Sequence, residues 1–83
     1  MSRAIEVGAP DWKPLEGVLS REHCAEFMFM GTTGGIVLYK HWDTRRYLNI
    51  DSETGRFYQY VDGGYTAISR EQALEHVYGS RQI

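Results

Sequence analysis

Hydrophobic and polar residues alternate along the middle of the chain in three short runs, at 36–41, 45–51 and 56–61. β-branched and aromatic side chains are enriched in each run, and turn-forming residues separate the runs at Trp42–Thr44 and Ser52–Gly55. Alternation with a period of two, interrupted by short polar turns, is typical of antiparallel strands joined by hairpins. The pattern therefore predicts an antiparallel β-meander.

Two further runs extend this meander to about five strands over residues 26–68. The run Phe27–Thr32 is apolar on both faces of the predicted strand, so we expect this strand to lie centrally in the sheet or beneath a helix. Tyr65–Ile68 follows a glycine-rich turn and forms the last strand. The register across Gly55 stays open, because a bulge there would move the side chains of 57–61 to the opposite face.

Helical signals flank the meander on both sides. Ser20 is a good N-cap residue for a short N-terminal helical segment. Ser69 and Gln72 match a capping box, and Gly79 is well placed to end the helix that they begin. The predicted helix therefore spans 69–79. We expect it to pack on the aliphatic face of the sheet through Leu74, Val77 and Tyr78.

The first residues show neither a helical nor a strand period. Pro10 and Pro14 bias the residues before them away from helix, so 1–14 is predicted to be an extended N-terminal arm that Trp12 anchors to the core. No linker or repeat divides the chain. The sequence thus predicts a single small domain, 1–83, of the α+β class, with the C-terminal helix on one sheet face.

Composition narrows the classes of function. The formal net charge of −2 predicts no general attraction of the surface to nucleic acid or anionic lipid. A single cysteine, Cys24, excludes an internal disulfide framework. No apolar run is long enough for a membrane span, and the N-terminus lacks the pattern of a secretory leader. We therefore expect a cytoplasmic protein without a membrane partner.

Residues with catalytic or metal-binding chemistry occur, but their spacing does not favour a site. His23 and Cys24 are neighbours on a short helix and would not face each other, so a nucleophile would need His41 or His76 as its base. The same residues with Asp43 lack the local spacing of metal ligands. We predict no catalytic residue, no metal site and no cofactor, and an enzyme is the third of the functional hypotheses.

The segment from Tyr39 to Tyr47 interleaves aromatic rings with cations. Tyr, Trp and Arg are enriched in protein-binding hot spots, and rings with cations also hold single-stranded nucleic acid by stacking and phosphate contacts. A third interpretation is internal, with Arg45 or Arg46 pairing to acids within the fold. The predicted binding residues are Tyr39, Lys40, His41, Trp42, Arg45, Arg46, Tyr47, Tyr58 and Tyr60.

The hypothesis from the sequence is a small non-enzymatic binding module. Its single helix can cover only one face of the sheet, which leaves aromatic rings on the other face or a strand edge for a partner. Self-pairing is the simplest cover, so we expect a homodimer, with another protein partner as a further possibility. The alternative function is binding of single-stranded nucleic acid through the same surface.

Overall fold

Five antiparallel strands form one sheet in which each strand lies beside its neighbour in sequence. The structure, a computed structural model, describes residues 5–79. It confirms the predicted α+β fold and the meander. The strands are β1 Phe27–Thr33, β2 Ile36–His41, β3 Tyr47–Asp51, β4 Phe57–Val61 and β5 Gly64–Ile68.

Three helices accompany the sheet: α1 Lys13–Glu16, α2 Arg21–Cys24 and α3 Arg70–Tyr78. The predicted capping box of α3 is confirmed: the Ser69 hydroxyl accepts from the Gln72 N–H at 3.0 Å, and the Gln72 side chain accepts from the Ser69 N–H at 2.9 Å. Gly79 ends the helix at φ 66°. None of the helices within 5–79 is long and apolar enough to cross a membrane.

The helices lie on one face of the sheet, which we call the covered face. Val37, Tyr39, Leu48, Ile50 and Phe57 project from it into the core. α3 contacts β3 and β4 there. The buried side chains of α3 are Ala73, Val77 and Tyr78, whereas Leu74 is only partly buried. The predicted docking of α3 is therefore present, with Val77 and not Leu74 at its centre.

The register defines the opposite face, which we call the open face. Leu38 lies opposite Asn49, and Asn49 lies opposite Tyr58. Cross-strand partners project to the same side of a sheet, so these three residues share the open face. Tyr47 and Tyr60, two residues farther along their strands, lie on it as well. This pairing settles the register across Gly55 and places Tyr58 and Tyr60 with Tyr47.

β1 forms one edge of the sheet, so of its two predicted positions, central or beneath a helix, the central one is wrong. Its apolar residues are explained by cover from other parts of the chain. Trp12 packs against Phe29, and Tyr78 of α3 against Phe27. The N-terminal segment closes the outer side, where Glu6 and Thr32 exchange two backbone hydrogen bonds of 2.8 Å.

The ladder between β3 and β4 is unusually short. Only Asn49–Tyr58 and Ile50–Phe57 pair, whereas β2 and β3 pair over the whole length of β3. From Asn49 toward Tyr47, β3 does not pair with β4. The sheet is therefore open between Tyr47 of β3 and Tyr60 of β4, and we call this opening the wedge.

Candidate functional site

The structure divides the nine predicted binding residues among three environments. Tyr39 and His41 lie in the core, with exposed fractions of 0% and 2%. The Tyr39 hydroxyl donates to the carbonyl of Asp11, and its ring stacks on Trp12 with centroids 5.6 Å apart. The grouping of these two residues with the surface was wrong, because strand alternation places them on the covered face with Val37.

His41 has a structural explanation. Its Nδ1 accepts from the Thr44 N–H at 3.2 Å, so the ring proton lies on Nε2, which is 3.3 Å from a carboxylate oxygen of Glu26. The Tyr78 hydroxyl donates to the same oxygen at 3.3 Å. Burial, followed by the Glu26 charge, raises the pKa of Tyr78. This network joins the start of β1, the β2–β3 turn and the end of α3.

The other residues with reactive side chains are also held within the fold. Cys24 is partly buried, and its thiol lies 3.6 Å from the carbonyl oxygen of Leu19. Burial, and then the nearby Glu16 carboxylate, raises the pKa of the thiol, which opposes thiolate formation. Within residues 5–79, no three His, Cys, Asp or Glu side chains are grouped so that they could hold a metal ion.

The adjacent arginines have different roles. Arg46 donates from Nη1 to the His76 carbonyl at 3.0 Å, in the last turn of α3. The contact lies within the fold, but the partner is a carbonyl at a helix C-terminus and not one of the acids that were predicted. Burial, and then the charge of Arg46, lowers the pKa of His76. Arg45 is exposed, and Trp42 in the same turn is 51% exposed.

Arg45 occupies a backbone position that usually belongs to glycine. The two turns beside β3 share one hydrogen-bond pattern: the Arg45 N–H donates to the His41 carbonyl, and the Gly55 N–H donates to the Asp51 carbonyl. Both residues have positive φ, 63° for Arg45 and 76° for Gly55. The repeated turn was missed in the sequence, although Thr44 recurs ten residues later as Thr54. Arg45 therefore holds a conformation with some backbone strain.

The remaining predicted residues lie together on the open face. Lys40 is placed over the Tyr47 ring at 5.8 Å from its centroid. Tyr60 is 55% exposed and meets the ring of Tyr65 edge to face, with centroids 5.0 Å apart. Tyr65 was absent from the predicted set. The only indication in the sequence was the turn at Asp62–Gly63, because strand pairing across this turn places Tyr65 opposite Tyr60.

A groove of about 890 Å³ runs over the open face. On this face its lining includes Leu38, Tyr47, Asn49, Tyr58, Tyr60 and Tyr65. It continues through the wedge toward α3, where Arg46, Ala73 and His76 line it. Asn49 stands where β3 and β4 part, and this second residue was also absent from the predicted set.

Asn49 has one satisfied and one unsatisfied polar atom. Its Nδ2 donates to the Tyr58 carbonyl at 3.1 Å. Its Oδ1 is buried and, within the described part of the chain, has no hydrogen-bond partner. The residue is only 4% exposed. A buried acceptor without a donor is costly, by about 1–3 kcal/mol, so the position favours occupation by a donor group.

The outer side of β5, which we call the β5 edge, presents backbone groups. The two-residue turn Asp62–Gly63 has both φ angles positive, 51° and 80°, as in a type I′ hairpin. The alternation of ladder bonds then directs Thr66 toward β4 and the N–H and C=O groups of Tyr65 and Ala67 outward. Within residues 5–79 no strand pairs with this edge.

Comparison with protein-family models, with curated proteins and with solved structures found no match to this chain. The geometry of the open face and of the two sheet edges is therefore the basis for a functional proposal.

Proposed function

We propose that this protein is a small non-enzymatic binding module that forms a homodimer by pairing the β5 edges of two copies. The observation that carries the proposal is the sequence of β5, Gly-Tyr-Thr-Ala-Ile, at an edge that no described strand covers. Edge strands are usually protected by Lys, Pro, a bulge or an inward charge. β5 contains no proline or charged residue, and its pairing with β4 is regular.

A two-fold axis through Thr66 gives this contact a definite register. Tyr65 then lies opposite Ala67 of the partner, and the outward groups of these residues form four backbone hydrogen bonds. The large Tyr65 ring meets a small side chain, and the two Thr66 residues form a favourable cross-strand pair. One strand pair buries little area, so the dimer belongs to the weak, transient class of interfaces.

A disulfide introduced on the two-fold axis tests this register. Thr66 pairs with Thr66 of the partner at a non-hydrogen-bonded position, where Cα atoms are about 4.5 Å apart, a distance suited to a disulfide. In a Cys24→Ala background, Thr66→Cys should therefore cross-link on mild oxidation. The measurement is the fraction of dimer on a non-reducing gel.

The matched control is Ser52→Cys in the same background. Ser52 is exposed in the β3–β4 turn, away from β5, so it should cross-link only at the rate of random collisions. Equal cross-linking of the two variants would contradict the β5 register. We also keep the expected cytoplasmic location as part of the proposal, because the lone cysteine accords with a reducing compartment.

Single-stranded nucleic acid is a second candidate partner, and it uses the groove instead of the β5 edge. The observation in its favour is charge: Arg45 and Arg46 line the groove, and no Asp or Glu among residues 5–79 does so. Tyrosines beside cations are suited to bases and phosphates. A fluorescent oligonucleotide should bind, and its affinity should fall steeply as the salt concentration rises. An affinity that does not depend on salt would exclude phosphate contacts.

A further inference from the structure

We propose that the groove holds a nucleotide whose base donates from an amino group to Oδ1 of Asn49 and whose phosphate lies at Arg45. This inference deepens the second candidate function and is independent of β5 pairing. It specifies the base-reading residue, the ligand class and the phosphate contact. Its support comes from the orphaned amide, the tyrosine walls and the distribution of charge.

The orphaned amide oxygen defines the polar requirement of the site. Because Nδ2 of Asn49 is already bonded to the Tyr58 carbonyl, the amide cannot rotate to offer a donor without losing that bond. Nδ2 keeps a second N–H, but Oδ1 is the polar atom that is buried without a partner among the described residues. The site therefore favours a ligand that brings an N–H or O–H donor to this point.

The walls of the groove favour a flat ring. Tyr47, Tyr58 and Tyr60 lie on the open face around Asn49, and Leu38 beneath them is only 1% exposed. Aromatic side chains bind bases by stacking, which contributes about 1–3 kcal/mol for each base. The short β3–β4 ladder leaves this space open between Tyr47 and Tyr60. A planar ring with an exocyclic amino group would stack on the tyrosine side chains and donate a hydrogen bond to Oδ1 of Asn49.

The charged residues favour an anionic group at the other end of the ligand. Arg46 is held at the end of α3 by its bond to the His76 carbonyl, and Arg45 is exposed beside it at the mouth of the groove. The lowered pKa of His76 keeps this ring neutral near pH 7, so the arginines supply the positive charge. A phosphate is matched to guanidinium groups in charge and geometry.

The size of the groove fits this ligand. Its volume of about 890 Å³ lies within the ordinary range for sites that bind small molecules and cofactors. A base with an amino group, an attached sugar and a terminal phosphate joins the three requirements in one molecule. An inorganic anion would leave Oδ1 unsatisfied, and an uncharged aromatic compound would place no anionic group at the arginines.

A set of matched ligands tests the base contact. The probes are AMP and purine riboside 5′-monophosphate, which differ by the exocyclic amino group, and binding is followed by NMR shift titration of the full chain. We expect AMP to bind about tenfold more tightly, the factor typical of one buried hydrogen bond. Equal affinities would overturn the role of Asn49, and salt-dependent oligonucleotide binding would then leave the second candidate function standing alone.

A matched pair of variants tests the phosphate contact. Arg45→Gln should weaken AMP about fivefold and leave adenosine unchanged, because only AMP carries the phosphate. The control is Arg56→Gln, at an exposed arginine of the β3–β4 turn that does not line the groove, and it should leave both affinities unchanged. Equal effects of the two substitutions would mean that Arg45 acts only through the general charge of the surface, which would overturn the assignment of the phosphate to Arg45. Absence of both AMP and oligonucleotide binding would overturn this site and the second candidate together.

Discussion

The two edges of the sheet differ in how their outward backbone groups are used. At the β1 edge, Thr32 exchanges two hydrogen bonds with Glu6 of the N-terminal segment. At the β5 edge, the outward groups of Tyr65 and Ala67 have no strand beside them among residues 5–79. One edge is completed by the chain's own N-terminal segment, and the other is where we propose that a second copy pairs.

The closure of the β1 edge depends on particular residues. The register shifts between Phe29 and Gly31, and Gly31 has a φ of 124°. A Cβ atom at Gly31 would lie 2.7 Å from the carbonyl oxygen of Glu6 and 2.7 Å from a methyl of Ile5. Glycine is therefore required for the close approach of the N-terminal segment. In β5, by contrast, no described residue lies within 4 Å of the Cβ position of Gly64, and this difference supports pairing there.

Gly31→Ala should have the largest effect on the comparison. It forces an L side chain into a glycine conformation and against backbone atoms, and these effects together cost about 2–4 kcal/mol. The N-terminal segment should separate from β1 and leave two open edges. A urea titration measures the loss of stability, and size-exclusion chromatography should show larger assemblies than the wild type forms.

Gly35→Ala is the control for that substitution. Gly35 also has a positive φ, 85°, but nothing lies within 4 Å of its Cβ position. It should lose only the conformational term of about 1–2 kcal/mol and retain the wild-type assembly. If both variants lost the same stability, contact between Gly31 and the N-terminal segment would play no part in closing the edge.

Proline substitutions compare the two edges directly. Thr32→Pro removes an N–H that donates to Glu6, and we expect a loss of about 1–2 kcal/mol. Ala67→Pro removes an N–H directed outward from the monomer, so its effect on a dilute sample should stay within about 0.5 kcal/mol. Urea titrations at low protein concentration measure both. Equal losses would mean that Ala67 is already bonded within the monomer.

Mild acid should have a smaller effect, and it should act on the stability of the fold at the covered face without changing the pairing of the β5 edges. The folded state holds the pKa of His76 below its value near 6.5 in the unfolded chain, so unfolding takes up a proton as the pH falls through this range. Stability is therefore complete above about pH 6.5 and decreases below it. β5 carries no group that titrates there. The dimer constant should stay unchanged between pH 7.5 and 5.5, when measured under conditions that keep the protein folded.

His76→Gln is the control for the effect of acid. This variant should lose less stability than the wild type when urea titrations at pH 7.5 and 5.5 are compared, because it has no proton to take up at position 76. An identical pH dependence in the two proteins would show that His76 is not the group responsible.

Local chemistry made several elements predictable from the sequence. The capping box at Ser69 and Gln72 uses contacts three residues apart, so α3 required no tertiary information. Alternation likewise identified β2, β3 and β4, whereas an apolar run identified β1 and a glycine-rich turn identified β5. The open register across Gly55 needed the structure, because a turn with one glycine permits pairings that differ by one residue. The position of β1 at an edge was missed, since its cover comes from distant residues such as Trp12 and Glu6.

The candidate site was less predictable than the fold. The segment from Tyr39 to Tyr47 was treated as one surface, although alternation sends Tyr39 to the core and Tyr47 to the open face. Asn49 was missed because its unsatisfied oxygen lies at the point where the short pairing of β3 with β4 ends. No local pattern marks where a ladder stops. The role of Arg46 was left open for the same reason, since the carbonyl that it meets is thirty residues away.

Sedimentation equilibrium of the wild type and of Ala67→Pro, over micromolar to millimolar concentrations, tests the pairing of β5 most directly. The wild type should rise from the monomer mass of 9.6 kDa toward twice that value as the concentration increases. Ala67→Pro should stay at the monomer mass, because it removes outward donors while leaving the fold intact. A wild-type mass that stays at 9.6 kDa at every concentration, or equal association of the two proteins, would contradict the account.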